Sequence, residues 1–305
     1  MKNLLSNAQL ATQPGGRPPA AIEIAAEGVL AAALPAKGQP PVYAFEPLPA
    51  GSLVPGIAEA NLRAPDTVVG AIRAALGRVS PRTRSVTVVL PDISLRVFVL
   101  DFESLPAKPM EALPVLRFRL RKMVPFDVEH AGLSYQVLVE KKGEVKVLAA
   151  VIPGAILQEY EAAVRAAGHE PGAVLPSTLA ALASRDSMES MLTANLSKSA
   201  LTTSITNGQD LLLYRTLDLP ENESARLREL QRGIAVAAAY FEDKLQVKPR
   251  QIYFTGIGRT QDFGRSIGDP ELTVTELSPW PETGSTTASG QFSIAGVAGA
   301  LAGVS

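Results

Sequence analysis

Apolar residues near the start of the chain occur in short runs that predict strands. Residues 20–25 and 29–34 are two such runs, and the turn residues Glu27 and Gly28 between them indicate a hairpin. The run 85–90 is rich in β-branched residues and has no charged residue, which is typical of a strand covered on both faces. The first part of the chain is therefore predicted to contain a sheet.

Between these strands the apolar spacing changes to three and four residues. Val68, Ile72 and Leu76 follow this spacing, which predicts one amphipathic helix. Asp66 or Thr67 is the expected N-cap, because a short polar side chain there can accept a backbone N–H of the first turn.

Residues 95–175 have an order of their own: strand, helix, strand, strand, helix, strand. This βαββαβ order predicts a ferredoxin-like insertion. The predicted elements lie at 95–102, 112–124, 133–139, 145–152, 155–167 and 171–175. The segment 117–121 alternates as a strand would, but Leu116, Leu120 and Val124 keep a helical spacing and the length favours a helix.

The C-terminal part is predicted to form a second lobe with the order hairpin, helix, strand, glycine turn. Its hairpin is built around Asn207 and Gly208, a pair typical of tight two-residue turns. The predicted domains are a flexible leader (1–19), a first lobe (20–94), the insertion (95–175), a helix with a connector (176–197), the second lobe (198–290) and a terminal helix packing on the first lobe (291–305).

Composition and charge exclude several classes of function. The 305 residues include 29 Lys and Arg against 30 Asp and Glu, and this balance disfavours a nucleic-acid-binding protein. The absence of cysteine excludes thiol catalysis, and two histidines, His130 and His169, are too few for a three-histidine zinc site. No apolar run reaches the ~18 residues of a membrane span and no secretory signal is recognised, so we expect a cytoplasmic protein. The sequence predicts no catalytic residue and no metal site.

Three segments of the chain share the order and spacing of one family. The first contains Leu90-Pro91-Asp92, a helix ending in Val124-Pro125-Phe126 and the strand 135–138; the second runs from helix 226–242 to the turn 256–258; the third is the run 292–301. Together they resemble the PilM-like proteins of type IV pilus assembly, a branch of the actin-like ATPases related to the cytoplasmic domain of the type II secretion protein GspL. The resemblance implies an α/β, two-lobed actin-like ATPase fold with a ferredoxin-like insertion in the first lobe.

The resemblance also implies a role and a partner. The expected role is a cytoplasmic scaffold, peripheral to the inner membrane, in a type IV pilus or type II secretion-like assembly platform. The expected partner is the cytoplasmic tail of a PilN-like membrane protein, bound in a groove between the first lobe and the insertion; the resemblance also admits a homo-oligomer. Arg117, Phe118, Arg121 and Phe126 are the candidate rim of that groove. A solvated helix face and a contact with anionic lipid headgroups are the alternative interpretations of the basic cluster around them, Arg117, Arg119, Arg121 and Lys122.

The nucleotide motifs of the family are degenerate in this chain. Glu23 occupies the acidic position of the first phosphate turn, but Ala25 and Ala26 stand where glycine and a small hydroxyl residue are expected. The segment 201–206, taken as the second turn, has neither Asp nor Gly, while Gly256 and Gly258 keep the third element in part. We therefore expect no ATP hydrolysis and no required cofactor, and the alternative is an ATP- and Mg²⁺-binding switch protein of the same machinery. A sugar-kinase-like enzyme is disfavoured because it needs an aspartate in the second turn.

Overall fold

A computed structural model describes residues 17–35, 39–185, 187–277 and 292–302. Most of the predicted leader lies outside these residues. The strands are β1 (Ala20–Ala25), β2 (Gly28–Ala33), β3 (Val42–Pro47), β4 (Ser85–Leu90), β5 (Arg96–Phe102), β6 (Gly132–Lys141), β7 (Glu144–Ile152), β8 (Glu170–Pro176), β9 (Ser190–Leu196), β10 (Ala200–Asn207), β11 (Asp210–Asp218), β12 (Gln251–Gly256) and β13 (Thr273–Glu276). The helices are α1 (Pro65–Val79), α2 (Pro109–Leu120), α3 (Gly154–Ala166), α4 (Ser177–Leu182), α5 (Glu223–Leu245), α6 (Thr260–Ile267) and α7 (Ala295–Ala302).

The two lobes are built on five-stranded sheets with the same order. The first sheet has the order β3-β2-β1-β4-β8, and the second has the order β11-β10-β9-β12-β13. In each sheet the first three strands are antiparallel neighbours, while the last two join in parallel. The parallel joins require crossover connections, which helices provide. The predicted hairpin 20–34 and strand 85–90 are confirmed as β1, β2 and β4.

The first helix of the first lobe begins earlier than predicted. Its N-cap is Ala64 and Pro65 opens the helix, so the predicted N-cap at Asp66 or Thr67 is wrong. Proline suits the first helical position because its missing N–H has no intrahelical partner there in any case. Asp66 instead lies in the first turn, where its negative charge interacts favourably with the positive end of the helix dipole.

The insertion is smaller than the sequence predicts. The order of its elements is as expected, but its sheet has three strands, β5-β7-β6, and β8 pairs in parallel with β4 of the first lobe. Helix α3 likewise packs against α1. The boundary predicted at residue 175 is therefore wrong, and the inserted part spans 96–152. The sequence pattern of β8 does not indicate which sheet the strand joins. Its pairing with β4 assigns it to the sheet of the first lobe.

One face of the insertion sheet is turned towards the lobes and the other is covered by α2. On β7, Leu148 and Ile152 belong to the core of the first lobe, whereas Val147 and Val151 pack with Leu116 of α2. This alternation follows from the two-residue period of a strand. Helix α2 and the lobes consequently lie on opposite faces of the insertion sheet.

The second lobe begins before the predicted residue 198. The stretch 184–197, predicted as a connector, contains β9, whose Met191, Leu192 and Ala194 are buried. The predicted hairpin around Asn207 and Gly208 is therefore formed by the second and third strands of this lobe, not by its first two.

The terminal helix packs on the first lobe, as predicted. Helix α7 lies against α4, β1 and β2. A Cβ at Gly299 would lie 1.8 Å from the carbonyl oxygen of Ala180, so only glycine permits this close approach. Among the described residues, none of the helices has the length and apolar character needed to cross a bilayer.

Candidate functional site

The ends of parallel strands from both lobes meet at one interlobe cleft. Glu23 lies near the end of β1, Asp92 follows β4 and Ser177 follows β8. From the second lobe, Asn195 lies near the end of β9, and Gly256 ends β12. Carboxyl ends of parallel strands are where open α/β sheets generally carry their ligand sites, so this cleft is the first candidate.

Asp92 is the centre of a buried hydrogen-bond network in this cleft. Its carboxylate accepts from the backbone N–H of Thr178 at 3.1 Å and from the Thr178 hydroxyl at 2.5 Å. From the second lobe, Asn195 Nδ2 donates to it at 3.2 Å, and the Tyr214 hydroxyl donates as well. Burial raises the pKa of the Asp92 carboxyl, and the hydrogen bonds from Thr178 and Tyr214 oppose that shift. The carboxylate is thus held by donors from both lobes.

Glu23 is joined to the same network through Ser177. The Ser177 hydroxyl donates to Glu23 Oε1 at 2.6 Å and accepts from Asn195 Nδ2 at 3.1 Å. Burial raises the pKa of Glu23 to about 7, although the hydrogen bond from Ser177 lowers it. Gly296 of α7 makes room for this carboxyl, since a Cβ there would lie 2.3 Å from Glu23 Oε2. The side chain is therefore enclosed by the terminal helix.

The second-lobe turn at the cleft differs from the one predicted. Segment 201–206 lies within β10, and the turn that corresponds to the β1–β2 turn is 197–199, between β9 and β10. The guanidinium of Arg226 donates to the carbonyl of Ser197 at 2.9 Å and also to that of Lys198. The sequence signal that could have located this turn is the apolar run 191–194 just before it.

The glycine turn after β12 is held on both sides. Gly256 has φ +103°, and a Cβ there would lie 2.0 Å from the carbonyl oxygen of Leu196. The N–H of Ile257 donates to Leu196 at 2.8 Å, and the N–H of Ser293 donates to Gly256 at 3.0 Å. Close packing within the protein accounts for Gly256 without a nucleotide.

Little space remains where phosphates would have to enter. The cavity lined by Glu23, Asp92, Asn195 and Gly256 measures about 30 Å³, enough for water but far below the roughly 300 Å³ or more of a ligand pocket. Gly258 lines a separate pocket of about 290 Å³ between α5 and α6. The three candidate nucleotide residues are therefore divided between a closed cleft and an open pocket beside it.

A third cavity is a groove between the first lobe and the insertion. It measures about 320 Å³ and is mainly apolar. Its lining includes Leu95, Leu133, Ile152, Leu157, Glu161 and Val174. β6 and β8 are edge strands of their sheets, and both contribute to its walls.

None of the four predicted rim residues lines this groove. Arg117 donates to the carbonyls of Val128 and Ala131 and so fixes the loop that follows α2. Phe126 packs, half-buried, against the core formed by α2 and the insertion sheet. The two exposed members are Phe118 and Arg121. All four belong to the α2 side of the insertion, and the groove is on the other side.

Comparisons with known proteins were made by sequence and by structure. Neither a family model nor a curated protein matches the sequence. A PilM–PilN type IV pilus biogenesis complex matches with a TM-score of 0.67 and 19% identity, over 85% of this chain and 88% of that chain. The cytoplasmic domain of EpsL, an inner-membrane component of the type II secretion system of Vibrio cholerae, matches with a TM-score of 0.51 and 15% identity, over 92% of each chain.

A Bacteroides thetaiotaomicron protein with an actin-like ATPase fold also matches, with a TM-score of 0.51 and 11% identity over 87% of this chain and 94% of that chain. The predicted α/β, two-lobed actin-like ATPase fold is thereby confirmed. The predicted resemblance to PilM-like proteins is confirmed for the fold. At 19% sequence identity, a structural match establishes a shared fold.

Proposed function

We propose that this chain is a scaffold of a type IV pilus or type II secretion-like assembly platform and binds the cytoplasmic tail of a PilN-like membrane protein. The observation that carries the proposal is the difference in volume between two cavities. The groove between the first lobe and the insertion measures about 320 Å³, whereas the interlobe cleft measures about 30 Å³. The fold shared with a PilM–PilN complex and with the cytoplasmic domain of EpsL supports the choice of machinery. On this proposal the protein is cytoplasmic and reaches the inner membrane through its partner.

The groove has the chemistry of a site for a short, extended, apolar segment. Edge strands β6 and β8 at its walls carry backbone groups that can pair with an added strand. Leu157 and Val174 offer apolar contacts for side chains of such a segment. Glu161, at the groove, is already paired with Arg165 at 3.0 Å. A short, extended, apolar tail is the occupant that fits best.

Scaffolding without hydrolysis is supported by the state of the cleft. Asp92 and Glu23 are both engaged by protein donors, and Arg226 covers the turn at Ser197. A triphosphate, which keeps a net negative charge even with its metal ion, would have to displace these contacts and lie next to two buried carboxyls. The cleft therefore acts as a closed joint between the lobes.

The test is a fluorescence-polarisation titration with a labelled peptide that reproduces the tail of the PilN-like protein of the same organism. Leu157→Asp places a charge in the apolar wall, so we expect binding to weaken tenfold or more. Val236→Asp is the control, because Val236 is 44% exposed on α5 of the second lobe and lines none of the three cavities. Equal binding by the Leu157 variant would refute the groove assignment, and no binding by the unmodified protein would refute the partner.

A nucleotide-responsive switch is the second candidate. The pocket of about 290 Å³ beside Gly258 favours it, because this pocket lies between the helix and glycine turn that close the nucleotide cleft in the resembled family. Equilibrium titration with a fluorescent ATP analogue and Mg²⁺ separates the two candidates, since only the switch requires saturable binding.

A further inference from the structure

The outer surface of α2 exposes several large apolar side chains. Met110 is 88% exposed, Phe118 68%, and Val115 37%; Met123, just after the helix, is 41% exposed. Single exposed apolar residues are common on soluble proteins, but a cluster on one surface usually marks a contact. We call these four residues the α2 surface.

The core of the insertion does not account for these residues. The inner side of α2 buries Ala112, Leu116 and Leu120 against the insertion sheet. Met110 and Phe118 are eight residues apart, two steps of four, so they lie on one row of the opposite side. Within the part of the chain that the structure describes, no element covers that row.

Basic residues frame the α2 surface. Lys108, Arg119, Arg121 and Lys122 are all exposed around it. The carboxylates on the same side are engaged: Glu111 with Lys108 at 3.5 Å, Glu129 with Arg121 at 2.5 Å, and Asp127 with His130 at 2.5 Å. Among the described residues no ion pair is formed by Arg119 or Lys122. The surface therefore carries a net positive charge around an apolar centre.

We propose that the α2 surface docks directly on an anionic lipid bilayer, with Met110 and Phe118 entering the headgroup region. Apolar side chains flanked by Lys and Arg are the composition of interfacial membrane contacts. The shape favours a bilayer over a peptide, because the two side chains protrude from the outside of a helix, whereas a peptide is held in a groove. The inference goes beyond the scaffold role, since the tail groove is on the other face of the insertion sheet and both contacts can form at once.

Vesicle co-sedimentation of the full chain tests the proposal. We expect binding to vesicles of phosphatidylglycerol and phosphatidylcholine, little binding to phosphatidylcholine alone, and weakening by salt. Met110→Asp with Phe118→Asp is expected to reduce the partition coefficient tenfold or more. Met188→Asp is the matched control, because Met188 is 79% exposed elsewhere in the chain and this variant should bind as before. Unchanged binding by the double variant, or no binding of the unmodified protein to anionic vesicles, would overturn the proposal.

A second readout reports the contact itself. Phe118→Trp in a Trp280→Phe background leaves one tryptophan on the α2 surface. Its emission should shift to shorter wavelength with anionic vesicles, and vesicles with brominated lipid should quench it. Sedimentation without any shift would place the membrane contact on another surface. Binding of a poly-glutamate peptide but not of vesicles would identify an acidic protein as the partner instead and overturn the assignment.

Discussion

The side-chain amide of Asn195 in the second lobe donates a 2.9 Å hydrogen bond to the hydroxyl of Thr178 in the first lobe. The same nitrogen lies 3.1 Å from Ser177 Oγ and 3.2 Å from Asp92 Oδ2. Through Ser177 the contact extends to Glu23, which terminates the network under the final helix. The two lobes are thus joined across the cleft by a chain of hydrogen-bonded protein groups.

Loss of this amide should destabilise the protein. Asn195→Ala leaves buried oxygen atoms of Asp92 and Thr178 with one donor fewer, and we expect a decrease of about 1–3 kcal/mol in the free energy of unfolding. Urea denaturation measures it as a lower midpoint at an unchanged slope. Asn207→Ala is the control, because Asn207 is exposed and pairs with Ser190 at the surface. Equal urea midpoints for the two variants would contradict the claim that the Asn195 hydrogen bonds between the lobes stabilise the protein.

Glu23 should make stability depend on pH. Burial raises its pKa from 4.5 to about 7, so between these values the folded protein keeps a proton that the unfolded chain has lost. The contribution of Glu23 to the free energy of unfolding is therefore most favourable below pH 4.5. It declines as the pH rises through about 7, and the total loss is about 3 kcal/mol.

Glu23→Gln isolates this effect. The amide mimics the protonated carboxyl and can still accept from Ser177, so the variant should match the unmodified protein at about pH 4 and exceed it in stability at about pH 8. Chemical denaturation at both pH values gives the difference, and the exposed Glu221→Gln serves as the control. A difference between the Glu23 variant and the unmodified protein that does not change with pH would show that the carboxyl ionises without penalty.

Millimolar Mg-ATP should leave the melting temperature unchanged. A ligand stabilises the folded state by RT ln(1 + [L]/Kd), and the closed cleft around Asp92 offers the phosphates no cavity of sufficient size. Thermal melts with and without the nucleotide provide the measurement, with Mg²⁺ alone as the control. An increase of several degrees would favour the nucleotide switch over the scaffold.

Binding of the tail peptide should protect the groove and not α2. We expect slower hydrogen exchange at residues 132–134 and 172–175, because these amides lie on the groove walls. The candidate rim residues taken from the sequence, Arg117, Phe118, Arg121 and Phe126, would instead give protection along 116–126. Protection along 116–126 alone would contradict the groove and favour the rim residues predicted from the sequence.

Helix and strand identities followed from the sequence because they depend on local patterns. The hairpin of β1 and β2, the long helix α5, the terminal helix α7 and the βαββαβ order were all predicted from apolar periodicity and turn residues. Glu23 and Gly256 were predicted as candidate nucleotide-binding residues from their places near strand ends, and both line the interlobe cleft. Their surroundings were not predictable in this way.

The tertiary structure decided which strands pair and which side chains meet. The short β8 segment Glu170–Pro176 has no pattern that assigns it to one sheet, and only its parallel pairing with β4 places it in the first lobe and opens the groove beside it. The donors to Asp92 from Thr178, Asn195 and Tyr214 come from positions 86, 103 and 122 residues away. Local periodicity carries no information at such separations, because these contacts depend on how whole elements pack against one another.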